Sequence, residues 1–329
     1  MHFLITGSAG FIGHHLAKNY LQQGHRVTGI DNMNDYYSVD LKHLRNTELD
    51  NFKQYIFIKQ DISDRKFIYD LFKSNKFDAV IHLAAQAGVR LPKYEFHKYT
   101  MSNLVGFENL ATAAVLNNTK NFIYASSSSI YGNLARVPLS ESELNLKPNS
   151  YYGATKLSNE IAAATIFHDS STKARGLRLF SVYGPLGRPD MAYFRLIASS
   201  ILNTDFKLNG DGSIERDFTY IDDVIDSITT LTENLDSHPT FTNDIVNIGG
   251  SNPTSMSNLI AMISKISGKN LRIYHAPNDL NDSIITKADV RKQKELIGKI
   301  PQTSLLIGLE KTYNWMRNFV DLDRLASWL

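Results

Sequence analysis

The sequence predicts an α/β fold: a doubly wound parallel sheet followed by a smaller, mixed α/β lobe. Three observations carry that prediction. Apolar, β-branched-rich runs alternate with stretches of helical spacing through the first half of the chain. Those runs are continuously apolar rather than alternating, as expected of strands covered on both faces. A glycine-rich turn joins the first strand to the first helix, with Gly7, Gly10 and Gly13 in GSAGFIG.

Taken in order, the expected strands are HFLIT (2–6), RVTGI (26–30), YIFI (55–58), AVIHLA (79–84), FIYA (122–125) and GLRLF (176–180). Between them, apolar positions recur with helical spacing in 11–24, 65–75, 103–118 and 151–167. Beyond residue 180 the texture changes. The stretch VYGPLGRPDM (182–191) is turn-rich, 192–202 is helical, and 216–235 reads as a short strand leading into a helix. A further strand is expected at DIVNIGG (244–250), then helices at 255–268 and 305–320 around a short strand, LRIYH (271–275). The expected units are 1–180 and 181–329, with the chain returning to the first around 217–249. The segment DLDRLASWL (321–329) reads equally as a packed helix or an assembly contact.

The totals exclude several classes of function. The chain has 329 residues, 43% hydrophobic and 21% charged, an ordinary globular composition. With 35 basic and 33 acidic residues the net charge is +2, and no basic stripe marks a nucleic-acid or membrane surface. There is no cysteine, hence no disulfide or thiolate metal site, and the ten histidines lack metal-ligand spacing. MHFLITG runs straight into a strand without a secretory signal, and no apolar run suffices for a membrane span. These features predict a cytoplasmic protein.

Glycines between a strand and a helix permit a tight turn and close approach of backbone to a pyrophosphate, while the helix N-terminus offers free N–H groups. Asp31 ends the second strand, eighteen residues after Gly13. A carboxylate there can accept both ribose hydroxyls of an adenosine and repels a 2′-phosphate, which favours NAD over NADP. Asp61, after the third strand, suits the adenine amine.

In YYGATK, Tyr152 and Lys156 stand four apart at a helix start, which stacks them on one face. A tyrosine of ordinary pKa, about 10, is a poor base at neutral pH. An adjacent ammonium, with an oxidised nicotinamide nearby, is expected to favour the phenolate. Tyr151 falls off that face.

Together GSAGFIG (7–13), SSSSIYG (126–132) and YGATK (152–156) resemble the extended short-chain dehydrogenase/reductase family of nucleotide-sugar epimerases and dehydratases. The resemblance covers nearly the whole chain, since VYGP (182–185), RDFTYIDDV (216–224) and NIGG (247–250) also match. Within the family, DNMNDYYSVDLKHLR (31–45), AAQAGVR (84–90), GRPDMAYFRL (187–196) and PQTSLLIGL (301–309) are most similar to the uronate 4-epimerases.

The resemblance implies a Rossmann-type NAD-binding domain over 1–180 and a nucleotide-sugar-binding lobe over 181–329. It implies tightly bound NAD held by Gly7, Gly10, Phe11, Ile12, Gly13, Asp31, Asn32, Asp61, Ile62, Ala84, Tyr152 and Lys156. Ser127 takes the family's catalytic hydroxyl position beside Tyr152 and Lys156, and Ser126 is structural. Family dehydratases carry an Asp–Glu pair where this chain has Ser128 and Ser129, and hydroxyls there can hydrogen-bond a sugar carboxylate instead. Arg188 and Arg216 are implied as diphosphate ligands. Arg90 is implied as a phosphate, carboxylate or structural residue, Ser181 as a sugar contact, and Asp282 as a uridine-ribose contact. Asn281 replaces the family's glycine before Asp282, which puts the shape of that loop in question.

The expected reaction is reversible C4 epimerisation of a UDP-sugar through a 4-keto intermediate, UDP-glucuronate to UDP-galacturonate. A 4-epimerase of UDP-glucose or UDP-N-acetylglucosamine is the alternative, with a dehydratase or decarboxylase disfavoured by Ser128 and Ser129. The family also implies a homodimer, formed by the helix of Tyr152 and the one before it across a two-fold axis. Polysaccharide precursor supply is the setting the family suggests.

Overall fold

The computed structural model describes residues 1–133, 136–237, 243–277 and 283–329. Its first half alternates strands and helices: β1 (His2–Thr6), α1 (Phe11–Gln22), β2 (Arg26–Asp31), α2 (Val39–Leu49), β3 (Tyr55–Lys59), α3 (Arg65–Ser74) and β4 (Ala79–His82). After β4, α4 (Phe96–Tyr99) passes through a π-helical stretch (Thr100–Val105) into α5 (Gly106–Leu116), followed by β5 (Asn121–Ser127), α6 (Tyr151–Ile166) and β6 (Lys173–Leu179). The second half runs β7 (Ser181–Tyr183), α7 (Ala192–Leu202), β8 (Phe206–Asn209), β9 (Glu215–Tyr220), α8 (Ile221–Glu233) and β10 (Asn243–Ile248). It ends with β11 (Pro253–Ser255), α9 (Met256–Ser267), β12 (Ile273–Ala276), α10 (Arg291–Ile297), α11 (Leu305–Phe319) and α12 (Leu322–Trp328).

Seven strands form one parallel sheet in the order β10-β6-β5-β4-β1-β2-β3. The chain builds outward from β1 to β3, then crosses back to place β4 on the other side of β1. That reversal opens a crevice beyond the C-terminal ends of β1 and β4, the position where such sheets bind ligands. Two apolar clusters cover the sheet, one led by Phe3, Ile5, Leu16 and Ile81, the other by Leu4, Val80, Phe107 and Phe122. A three-stranded sheet, β11-β9-β7, and a parallel pair, β12-β8, make up the second half's strand structure. Among the described residues, no helix is long and apolar enough to cross a membrane.

The expected strands all form, with corrected ends. The 79–84 strand stops at His82, because Leu83 and Ala84 turn their amides to the backbone carbonyl and side-chain oxygen of Thr6. The 122–125 strand is longer than expected and takes in Ser126 and Ser127, which pair with Arg178 and Leu179. The expectation that every strand is covered on both faces fails at β3. It lies at the sheet edge, where Ile56 is 42% exposed. Sequence periodicity also missed α2, and missed β7, β8 and β11, whose three or four residues are too few to show a period.

Candidate active site

The glycine turn is fixed by contact as well as by conformation. Gly7 has φ +74°, and a Cβ there would meet the Ala84 nitrogen at 2.8 Å, so β1 and β4 approach closely at the head of the crevice. At Gly13 a Cβ would lie 2.0 Å from the Gly7 carbonyl oxygen. Helix α1 starts after Gly10 with no side-chain cap, leaving the amides of Phe11, Ile12 and Gly13 without an intrahelical acceptor. An uncapped, glycine-lined helix N-terminus at the switch point fits the pyrophosphate of NAD.

Asp31 lies at the end of β2, buried, accepting from the Met33 amide at 2.8 Å, with the Lys42 ammonium 3.9 Å away. Asn32 donates to Asp61 at 2.8 Å, so the two expected adenosine contacts after β2 and β3 are tied together. Burial alone raises the Asp61 carboxyl, but the Ser63 amide, Asn32 and the Ser63 hydroxyl outweigh it and hold Asp61 below its ordinary value. Ile62 is buried against Gly106.

Two caps set the candidate reactive residues. The Ser150 hydroxyl accepts from the Gly153 amide at 3.1 Å and starts α6, which carries Tyr152 and Lys156. The Ser127 hydroxyl accepts from the Ser129 amide at 3.1 Å and turns the chain out of β5. The Lys156 ammonium donates to the Ala125 carbonyl at 2.9 Å and stands 5.8 Å from the centre of the Tyr152 ring. Tyr151 points elsewhere, stacked on Phe96 at 4.9 Å with its hydroxyl 3.0 Å from Thr100.

The protein's own groups act on Tyr152 in opposite directions, and Arg188 supplies a charge that the sequence reading had not assigned to it. Burial pushes the Tyr152 phenol above its ordinary value, opposed by the Arg188 charge and by a hydrogen bond with Ser127. Burial also brings Lys156 down to about 8. The protein's own groups therefore leave Tyr152 protonated near neutrality, because both members of the pair are desolvated together. An oxidised nicotinamide ring bound beside Tyr152 would add positive charge that favours the phenolate.

The four serines divide as their surroundings dictate. Ser126 donates to Glu160 at 2.5 Å, and Glu160 forms a buried two-point pair with Arg178 at 2.9 and 2.8 Å. Arg178 also donates to the Tyr131 hydroxyl at 2.9 Å, and that hydroxyl donates to Asn247 at 2.7 Å. This is a structural network beneath the serine turn. The Ser127 and Ser129 hydroxyls lie 3.1 Å apart, and Ser128 and Ser129 are half-buried at the turn.

Arg188 is paired with Asp190 through Nε at 3.0 Å and Nη2 at 2.5 Å, while the Tyr36 hydroxyl donates to the same carboxylate at 3.4 Å. Burial lowers the Arg188 guanidinium, but Asp190 outweighs it and holds the group above its usual range. Arg216 projects from β9 and donates to the Glu215 and Ser283 carbonyls at 2.9 and 2.6 Å. Ser181 begins β7 opposite Phe218 of β9. Arg90 is exposed on the loop after β4. Asp282 and Asn281 lie outside the described residues.

Two groups near the site escaped sequence reasoning. Asp217 is fully buried, and its carboxylate accepts from the Gly250, Ser251 and Ala288 amides at 3.0, 3.0 and 2.8 Å, fixing the NIGG turn. Asn103 sits in the π-helical stretch, exchanges hydrogen bonds with the backbone of Gln86 and donates to Thr155, while Asn159 donates to its carbonyl. It locks the loop after β4 to α6. The one sequence signal was an asparagine on an otherwise apolar helical face.

A glycine-lined crevice at the switch point, with a Tyr–Lys pair and a serine clustered at the end of β5 and the start of α6, fits a class of dinucleotide-dependent enzymes. The NAD dependent epimerase/dehydratase family matches residues 3–249, and the chain belongs to that family. Among its relatives, an uncharacterized protein of Methanocaldococcus jannaschii is 40% identical, over 95% of each chain. The UDP-glucuronate 4-epimerase of Thermodesulfobacterium geofontis is 35% identical over 98% of each. The crystal structure of the UDP-glucuronic acid 4-epimerase of Bacillus cereus, in complex with UDP-glucuronic acid and NAD, superposes with a TM-score of 0.90 at 34% identity. It covers 97% of this chain and 100% of its own.

Proposed function

We propose that the protein inverts C4 of a UDP-sugar reversibly, interconverting UDP-glucuronate and UDP-galacturonate through a 4-keto sugar. The observation that carries this reading is the Ser127–Tyr152–Lys156 cluster with neutral hydroxyls, rather than carboxylates, at Ser128 and Ser129. The amides of Phe11, Ile12 and Gly13 would hold the NAD pyrophosphate, with Gly7 and Gly10 shaping the turn. Asp31 and Asn32 would hold the adenosine ribose, Asp61 and Ile62 the adenine, and Ala84, Tyr152 and Lys156 the nicotinamide end. Bound there, NAD accepts the C4 hydride, returns it to the opposite face and stays in place between turnovers.

Tyr152 Oη takes the proton of the sugar 4-hydroxyl and returns it once the keto sugar has turned over. Lys156 stabilises the phenolate by its charge, and Ser127 hydrogen-bonds the C4 oxygen and the phenol. Arg188 and Arg216 grip the diphosphate, Asp282 the uridine ribose and Ser181 the sugar, while Arg90 keeps its phosphate, carboxylate or structural reading. A uronate adds a hazard, because its 4-keto form is a β-keto acid that can lose carbon dioxide. Ser128 and Ser129 can hold the carboxylate by hydrogen bonds without acting as bases near C5.

The test is product identity by NMR, with UDP-glucuronate, UDP-glucose and UDP-N-acetylglucosamine supplied separately. UDP-galacturonate from the first alone supports the reading. Turnover of a neutral sugar instead keeps Tyr152 and Ser127 in their roles but removes the carboxylate argument, and a pentose product overturns it. A homodimer through α5 and α6 accords with the exposed Leu116 and Ile161 on those helices. Light scattering of the purified protein decides between dimer and monomer.

A further inference from the structure

Arg45 of α2 is among the largest fully buried side chains of the protein, and the chemistry above does not use it. All five of its N–H donors are engaged. Nε donates to the Leu186 carbonyl at 3.0 Å, and Nη2 to the Leu186 and Gly187 carbonyls at 2.7 and 2.9 Å. Nη1 donates to the Ala9 carbonyl at 3.1 Å and the Tyr37 hydroxyl at 2.7 Å. Every acceptor is a neutral oxygen. The other deeply buried arginines, Arg175 and Arg178, face Asp244 and Glu160. Among the described residues no carboxylate lies within ion-pair distance of Arg45.

A buried charge without a counter-charge is costly, so its retention asks for a reason in the assembled site. The partners of Arg45 supply one. Ala9 immediately precedes Gly10 in the turn that leads to the uncapped N-terminus of α1. Leu186 and Gly187 immediately precede Arg188. Their backbone is unusual: Leu186 has φ +56°, and a Cβ on Gly187 would lie 1.8 Å from the Tyr193 hydroxyl. A leucine in the left-handed region persists only where its surroundings impose it. The Arg45 fork, gripping the Leu186 carbonyl twice, is the restraint.

We propose that Arg45 is a positioning residue that couples the dinucleotide turn to the loop of Arg188, so that occupancy of the NAD site sets the grip on the sugar nucleotide's diphosphate. This rests on the reading above only in assigning diphosphates to the two loops. The negative charge of those diphosphates offsets the guanidinium that the protein leaves unmatched. Lysine keeps the charge but cannot span four acceptors on three segments.

The test uses the whole protein carrying NAD, titrated with UDP by calorimetry, in wild type, Arg45→Lys, Arg188→Gln and the double variant. Arg45→Lys is expected to weaken UDP binding about tenfold, the scale of a lost charged hydrogen bond, and to speed NAD loss on dialysis. In the Arg188→Gln background the effect of Arg45→Lys on UDP affinity should largely vanish. Unchanged UDP affinity and NAD retention with only a lower melting temperature would overturn the proposal, as would the same loss in both backgrounds. Should Arg45→Lys not fold, Tyr37→Phe removes one acceptor and keeps the charge. A smaller loss of UDP affinity, absent beside Arg188→Gln, then supports the coupling, and no loss overturns it. A protein that binds UDP and NAD in this way but epimerises nothing defeats the proposed reaction and leaves the coupling standing.

Discussion

In the proposed reaction the phenol of Tyr152 has to lose its proton before it can accept one, and its surroundings pull in opposite directions. Burial holds the proton on, while the Arg188 charge and the Ser127 hydrogen bond favour its release. Tyr152→Phe is expected to cut kcat by about 10²–10⁴-fold, the range for loss of a general base, with UDP affinity unchanged by calorimetry. Arg188 lowers the Tyr152 pKa, so Arg188→Gln should move the acidic limb of the kcat/KM profile to higher pH, separately from any change in KM. A limb that stays in place would mean Arg188 acts on the diphosphate alone. The Tyr152–Lys156 pair was legible from local spacing at a helix start, whereas Ser127 was picked out by the family resemblance. Arg45 and Asp217 were not legible, because their partners are mostly backbone groups far away in the chain, which no side-chain pattern announces.

At the scale of elements, α6 is fastened to β6 by a buried ion pair and to β5 by a hydrogen bond on the same carboxylate. Glu160 is on the inner face of α6, two turns beyond Tyr152, and receives both Arg178 of β6 and Ser126 of β5. Glu160→Gln leaves a buried guanidinium without its counter-charge, and about 3–5 kcal/mol of stability should be lost in urea unfolding. Ser126→Ala removes only one donor to that carboxylate and should cost about 1 kcal/mol. A larger effect of Ser126→Ala on kcat than on stability would contradict its structural assignment. The alternation of strands and helices was readable wherever an element exceeded four residues and kept one face apolar. Helix α2 was not, since its buried residues include Lys42 and Arg45 beside Leu41 and Leu49, and a periodicity search counts both cations as exposed.

Across the whole molecule, histidines held neutral in the folded chain weaken it in acid. Burial, aided by the Lys156 charge, takes His82 down to about 3, and burial, with His14 next, takes His15 to about 3. The unfolded chain protonates these rings near 6.5 while the folded chain does not, so stability is intact above that pH and is lost as pH falls toward 3. Each ring should remove about 1.4 kcal/mol per pH unit over that window, read as the urea midpoint between pH 6.5 and 5. His82→Asn should flatten the dependence by one ring's share.

The far end of the described chain bears on the same site. In α12, Arg324 and Trp328 donate to Asp40 of α2 through Nε at 2.6 Å, Nη2 at 2.9 Å and the indole Nε1 at 2.8 Å, and Trp328 stacks on Trp315. Asp40 is thus held across 288 positions in the sequence, one helical turn from Arg45. A ribosome making this chain delivers the glycine turn, Asp31 and Tyr152 before α12, so α2 is latched only after all three have emerged. A nascent chain halted before α12 has every residue proposed above to hold the dinucleotide and lacks the clasp on α2.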